Sequence, residues 1–145
     1  MAYRLDSVHY AAGGLRLEPG DRRVTVRIGE LVLADSLRVV VVHERLHPLR
    51  YYLAPEDVRT ELLTPSPLHS YCPYKGDARH WALAARGGAG SGDSAGGAGS
   101  GDRDGGGAWA GGTIAWSYPQ PLPGMEPLAG LLAFYQERVD LTLGP

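Results

Sequence analysis

Residues 23–43 read RVTVRIGELVLADSLRVVVVH, and this stretch gives the clearest indication of the fold class. Its first half alternates apolar and polar residues on both sides of Gly29-Glu30, which is the pattern of a β-hairpin. Its second half contains four consecutive valines, and branching at Cβ favours a buried strand over a helix. We therefore expect three antiparallel strands by His43 and a chain that is mainly β.

The segments outside this stretch predict further strands and two loose ends. Apolar positions in residues 1–22 are scattered and interrupted by Gly13-Gly14, which predicts an N-terminal arm that adds one short strand at most. Alternating or β-branched segments predict more strands, at residues 50–53, 78–85 and 113–118. Residues 141–145 are predicted to form a tail.

Two short helices are predicted, which makes the expected fold α+β with a dominant β part. Pro55-Glu56-Asp57 puts a proline and two carboxylates where a helix N-terminus favours them, and Pro65 ends the segment. A second helix is predicted from Glu126 to about Arg138, because apolar residues recur there at helical spacing.

Residues 87–112 form a glycine-rich insertion. Glycine occupies 13 of these 26 positions, and Val, Leu and Ile are missing from them. Such a segment buries too little apolar surface to offset its ordering entropy, which predicts a flexible hairpin loop. We therefore expect a single domain over residues 23–140 that contains this insertion.

Composition excludes several classes of function. The chain has 145 residues and a formal net charge of −2, so it lacks the basic footprint of a nucleic-acid or anionic-membrane partner. A single cysteine excludes an internal disulfide and a multi-cysteine zinc site. No signal-like or membrane-spanning run is present, so a cytoplasmic protein is expected, with no metal and no cofactor.

The most pointed chemical feature is Cys72-Pro73-Tyr74-Lys75-Gly76. Lys75 is the only lysine, against thirteen arginines, which indicates a specific need for a compact ammonium group or an amine. The sole cysteine lies three residues earlier, and a nearby cation favours a reactive thiolate. The alternatives are a turn-capping Lys75 and a Cys72 that packs as a small apolar side chain.

Histidines and aromatic residues close to this motif predict a pocket. His69 and His80 flank the motif. Together with Tyr71, Tyr74, Trp81 and Trp116, they could form an aromatic, partly polar pocket of the kind that holds small molecules. Asp57 and Glu56 suit a helix start better than acid catalysis.

The sequence resembles the bacterial and fungal family called domain of unknown function 427. The resemblance runs from about Arg23 to Asp140, interrupted by the glycine-rich insertion, and it rests on YYLAPEDV (residues 51–58), CPYKG (72–76) and AWSYP (115–119). It implies compact antiparallel sheets of the β-tent type, and it maps the family's motif positions onto Tyr52, Asp57, Cys72, Lys75, Trp116 and Tyr118. The family carries a nucleotidyltransferase-like label, yet this sequence lacks the paired carboxylates on one strand that phosphoryl transfer requires.

Together these features predict a domain that binds a small polar or aromatic molecule near Lys75. The predicted ligand-binding residues are Tyr52, Asp57, Tyr74, Lys75, His80, Trp116 and Tyr118. If the domain is an enzyme, the candidate catalytic residues are Lys75 and Cys72. The alternatives are a non-catalytic interaction module or homodimer, and a reductase that uses Cys72 as its nucleophile.

Overall fold

The computed structural model describes residues 5–84 and 112–144, and these residues form a β protein. They contain eleven strands and four single turns of 3-10 helix, but no α-helix. The strands are β1 His9–Ala11, β2 Leu15–Pro19, β3 Val24–Ile28, β4 Leu31–Ser36, β5 Val39–His43, β6 Arg50–Leu53, β7 Leu63–Cys72, β8 Gly76–Leu83, β9 Thr113–Ser117, β10 Leu132–Phe134 and β11 Asp140–Leu143.

The strands build two antiparallel sheets. The larger sheet has eight strands in the order β1-β2-β5-β6-β10-β9-β8-β7, and the smaller has three in the order β11-β3-β4. The mainly β prediction is therefore confirmed. The predicted glycine-rich loop at 87–112 lies, apart from Gly112, outside the described residues, and the strands that flank it pair directly with each other.

The hairpin predicted from the opening stretch is confirmed, and the third predicted strand forms, but it does not belong to the same sheet as the hairpin. Val24–Ile28 and Leu31–Ser36 pair across Gly29, whose φ of 60° suits glycine. The valine strand β5 instead joins the larger sheet between β2 and β6. Val39 and Val40 are both fully buried, on opposite faces of β5, so this strand needs apolar neighbours on both sides.

The prediction for the N-terminal arm is wrong, and the C-terminal tail is paired into a sheet. The N-terminal arm contains two strands rather than at most one, and Leu15 and Leu17 on β2 are fully buried in the core. Gly13 and Gly14, with φ of 77° and 75°, form the turn between β1 and β2 instead of interrupting structure. The predicted tail contributes most of β11, which pairs along β3.

Both predicted helices are also wrong. The first is replaced by two 3-10 turns, Pro55–Asp57 and Thr60–Leu62, and the second by one turn at Glu126–Leu128 followed by β10. Gly130 takes a φ of 75°, which ends the turn and directs the chain into the sheet. All three β10 residues are buried, so placement in the middle of the sheet outweighs the helical spacing of this segment.

Two hydrophobic clusters lie on opposite faces of the larger sheet. One cluster joins both sheets through residues such as Val26, Leu33, Val39 and Phe134. The other covers the opposite face and includes Leu17, Val42, Tyr52, Trp116 and Tyr118. This second face carries the candidate site.

Candidate functional site

Lys75 lies in the turn between β7 and β8 and is almost fully buried, with 6% of its surface exposed. Its Nζ donates a hydrogen bond to Oε1 of Glu44 at 3.0 Å, and Sγ of Cys72 lies 3.9 Å away. The turn is held because the Lys75 carbonyl accepts a hydrogen bond from the Leu122 amide. Gly76 has a φ of 114°, a conformation that other residues adopt only under strain. The Glu44 carboxylate is the partner that the Lys75 ammonium needs, because a buried ammonium without a partner is strongly disfavoured.

Three aromatic rings stand beside Lys75 on the same face of the sheet. The indole Nε1 of Trp116 donates to the hydroxyl of Tyr52 at 3.0 Å, with the rings edge to face. Tyr118 lies next to Tyr52, with ring centroids 6.4 Å apart. Burial is the main reason that the pKa of both tyrosines is raised, and the nearby carboxylate of Glu44 raises both further. Both phenols therefore stay protonated at neutral pH.

The small residue Ala133 allows two of these rings to meet. It lies on β10, directly opposite Tyr52 on β6 and directly opposite Trp116 on β9. Because strands in a sheet are only about 5 Å apart, a larger side chain between them would separate the rings.

His80 is held on β8 by two hydrogen bonds. Its Nε2 pairs with Oγ of Ser70 at 2.8 Å, and its Nδ1 pairs with the Tyr135 hydroxyl at 3.1 Å. Burial, assisted by the charge of His69, lowers the pKa of His80. The imidazole is therefore neutral at pH 7, with one nitrogen donating and the other accepting.

These groups line one cleft of about 160 Å³. Its lining residues are Val42, Glu44, His47, Arg50, Tyr52, Ser70, Lys75, His80, Trp116, Tyr118 and Tyr135. The structure thus brings together five of the seven predicted ligand-binding residues. They supply an ammonium, a guanidinium, a carboxylate, phenols and a neutral imidazole, which can bind polar groups and planar rings.

The other predicted residues lie outside this cleft. Asp57 accepts hydrogen bonds from Arg38 and Ser36, and the bond from Arg38 is the main reason that its pKa is lowered. Asp57 therefore links its 3-10 turn to the last residue of β4 and to the connection between β4 and β5. Tyr74 is 44% exposed and packs over Gly13, where a Cβ atom would come within 2.9 Å of the ring.

Cys72 occupies an intermediate position. It is half-buried, packs against the cluster that contains Tyr118, and does not line the cleft. Within the described part of the chain, its sulfur accepts one hydrogen bond, from the ammonium of Lys75.

Five polar groups of the cleft were not predicted from the sequence: Glu44, His47, Arg50, Ser70 and Tyr135. Arg50 could have been found, since it stands two residues before Tyr52 on β6 and so shares its face. Glu44 stands two residues after Val42 and supplies the carboxylate that a buried lysine requires. Ser70 and Tyr135 depend on strand pairings that no local pattern indicates.

The described residues contain no cluster of three or more His, Cys, Asp and Glu side chains suited to hold a metal ion. Nor do they include any helix with the length and apolar character needed to cross a membrane.

Comparison with known proteins identifies the family. The profile described as a domain of unknown function, DUF427, matches residues 16–95 and 106–144. No curated protein matches the chain. The profile covers most of the sequence, including β3 to β11, all of β2 except Leu15, and every residue that lines the cleft. The chain therefore belongs to the DUF427 family of domains of unknown function.

Proposed function

We propose that this domain binds a small polar or aromatic molecule in the cleft beside Lys75. The observation that carries the proposal is the buried position of the only lysine, in a cleft that also holds Tyr52, Trp116 and Tyr118. Small-molecule sites combine apolar and aromatic walls with a few convergent polar groups, and this cleft has that composition.

The energetics of the Lys75–Glu44 pair favour a functional role over a structural one. Replacing a buried ion pair by apolar side chains of similar volume is often neutral or stabilising. The face around the pair already contains a large apolar cluster that could accommodate such side chains. Retaining charges here is more readily explained by a ligand than by stability.

The volume of the cleft limits the size of the ligand that it can hold. Pockets that bind drug-sized ligands have volumes of roughly 300–1,000 Å³, whereas the volume of this cleft is about 160 Å³. The bound part is therefore a small fragment, with Lys75 as its polar anchor and the aromatic rings as its walls. The β-tent arrangement implied by the family resemblance is likewise proposed, as the architecture that presents this cleft.

A thermal-shift screen of nucleotides, carboxylates and sulfoxides tests the proposal. At about a hundredfold excess over Kd, a ligand should raise the Tm of the wild type by roughly 5–10 °C. Lys75→Met should lose this response, and so should the double variant Lys75→Met/Glu44→Gln, which leaves no unpaired carboxylate. Tyr74→Phe, next in the chain but outside the cleft, should keep it. The proposal is wrong if no compound stabilises the wild type or if the Lys75 variants respond equally.

A thiol-dependent reductase is the second candidate, supported by the 3.9 Å between Sγ of Cys72 and Nζ of Lys75. Nearby cations promote thiol reactivity, but the reacting sulfur must also be accessible. Alkylation by iodoacetamide, followed by mass spectrometry, separates the candidates. Fast labelling of the native protein, together with loss of sulfoxide turnover in Cys72→Ser, would favour the reductase. Slow labelling and unchanged ligand binding in Cys72→Ser would favour the cleft.

A further inference from the structure

The cleft contains a second cation whose charge is not balanced. The guanidinium carbon of Arg50 lies 5.3 Å from the centroid of the Trp116 ring. Within residues 5–84 and 112–144, the Arg50 side chain has no hydrogen bond and no ion pair. Lys75, by contrast, is neutralised by Glu44 at 3.0 Å.

We infer that the ligand of this cleft carries an oxyanion, a carboxylate or a phosphate, and that Arg50 binds it. This inference rests on the proposed function and names the chemical class of the ligand. A guanidinium presents its donors as a planar fork that matches two oxygens of a carboxylate or phosphate. Contact with Trp116 restrains the plane of that fork, so less side-chain freedom is lost when the anion binds.

The geometry of β6 directs Arg50 to the site. Arg50 and Tyr52 are two residues apart on one strand, so both side chains lie on the face that carries the cleft. Arg50 also pairs with Val42 on β5, and Val42 lines the same cleft. Strand pairing therefore places the guanidinium of Arg50 beside the aromatic rings of the cleft.

A larger groove continues the positive charge beyond the cleft. This groove, of about 510 Å³, shares Glu44 and His47 with the cleft and also includes Arg16 and Arg45. Arg16 is partly balanced by Glu18, 3.9 Å away, but Arg45 forms no ion pair within the described ranges. Among the residues that the structure describes, Glu44 is the only carboxylate that lines either cavity.

This local excess contrasts with the chain as a whole, whose formal net charge is −2. Clefts lined by one sign of charge concentrate ligands of the opposite sign. An anion is therefore attracted along the groove toward Arg50, and the groove has room for parts of the ligand that the cleft does not hold.

Matched anionic and neutral probes test this inference. Benzoate and benzamide compare a carboxylate with a neutral amide, and phenylphosphonate and benzenesulfonamide compare a phosphate-like group with a neutral tetrahedral one. The Trp116 indole signal in a two-dimensional ¹⁵N–¹H NMR spectrum, assigned with Trp116→Phe, follows each titration. The preferred anion distinguishes a carboxylate ligand from a phosphate one.

The anionic member of at least one pair should bind about tenfold or more tightly than its neutral counterpart. Arg50→Gln should remove that preference. Arg27→Gln, which removes the same charge from an exposed position on the smaller sheet, should leave it unchanged. Equal or tighter binding of the neutral members would overturn the inference but leave the proposed cleft intact. If no probe of either kind shifts the Trp116 signal, both the inference and the proposed function are wrong.

Discussion

At the scale of single residues, the site depends on a lysine that the fold buries beside one carboxylate. The Lys75 side chain is 8% exposed and that of Glu44 is 26% exposed, so water can reach the carboxylate but scarcely the ammonium. Lys75 could be singled out from the sequence because it is the only lysine in a chain with thirteen arginines. Its partner could not be identified, because Glu44 lies 31 residues earlier and meets Lys75 only in the folded sheet.

Removal of the ammonium should destabilise the protein. We expect Lys75→Met to lower the free energy of unfolding by about 1–3 kcal/mol, less than for a fully buried pair because water can rehydrate Glu44. Lys75→Met/Glu44→Gln should recover part of this loss, since no carboxylate then lacks its partner. Urea denaturation measures both variants. A single variant as stable as the wild type would show that the pair does not form.

His80 should make stability depend on pH. Its pKa in the folded protein is lowered from 6.5 by burial, so the unfolded chain binds a proton more readily. The stability that the neutral imidazole provides is complete above pH 6.5 and decreases as the pH falls toward the folded-state pKa.

Urea denaturation between pH 7.5 and 5 checks this dependence. The wild type should lose stability over this range, and His80→Gln should show a shallower decrease. His69→Gln should keep most of the slope, because His69 is the lesser cause of the shift. Identical slopes in the wild type and His80→Gln would contradict the assignment.

At the scale of strands, the predictions are correct where a local sequence pattern determines the conformation. They are wrong where contacts within the sheet determine it. The β3–β4 hairpin has alternating residues and a glycine turn, both visible in the sequence. The segment that forms β10 shows helical spacing, yet Leu132, Ala133 and Phe134 fill the centre of the larger sheet. Contacts with strands distant in the chain override propensity there, and a single sequence does not reveal them.

The role of Ala133 on β10 can be tested by enlarging it. Ala133→Leu inserts three heavy atoms between Tyr52 and Trp116, and it should reduce stability by about 1–3 kcal/mol. It should also shift the Trp116 indole NMR signal, because the hydrogen bond to Tyr52 is displaced. Ala12→Leu, at an exposed position, should change neither property appreciably. An unperturbed Trp116 signal in Ala133→Leu would contradict the proposed spacing role.

At the scale of the whole molecule, three of the four sheet edges formed by the described residues discourage self-association. The larger sheet ends in the three-residue strand β1 and in β7, which contains Pro65 and Pro67 and a register shift. On the smaller sheet, the edge of β4 is bridged at Ala34–Val58. Short, proline-containing and covered edges are the usual protection against strand pairing between chains.

We therefore expect a monomer in solution. Light scattering coupled to size-exclusion chromatography should give a mass near 15.5 kDa even at high protein concentration. A mass near twice that value would favour the homodimer alternative, and Leu68 and Tyr71, exposed on β7, would then be the first candidates for the interface.

A second cavity could compete with the cleft at Lys75 for small ligands. On the opposite face of the larger sheet, Leu63, Trp81 and Leu132 line an apolar groove of about 280 Å³. Apolar fragments could bind there without any polar anchor. The location of bound ligand therefore separates the two sites.

A crystallographic fragment screen can show whether the cleft beside Lys75 binds ligands. Polar and aromatic fragments should bind within hydrogen-bond distance of Lys75 Nζ, against Trp116 and Tyr118, and these fragments should be missing from crystals of Lys75→Met. Fragments that bind only in the groove at Trp81 and Leu132, with the Lys75 cleft empty throughout, would contradict this prediction.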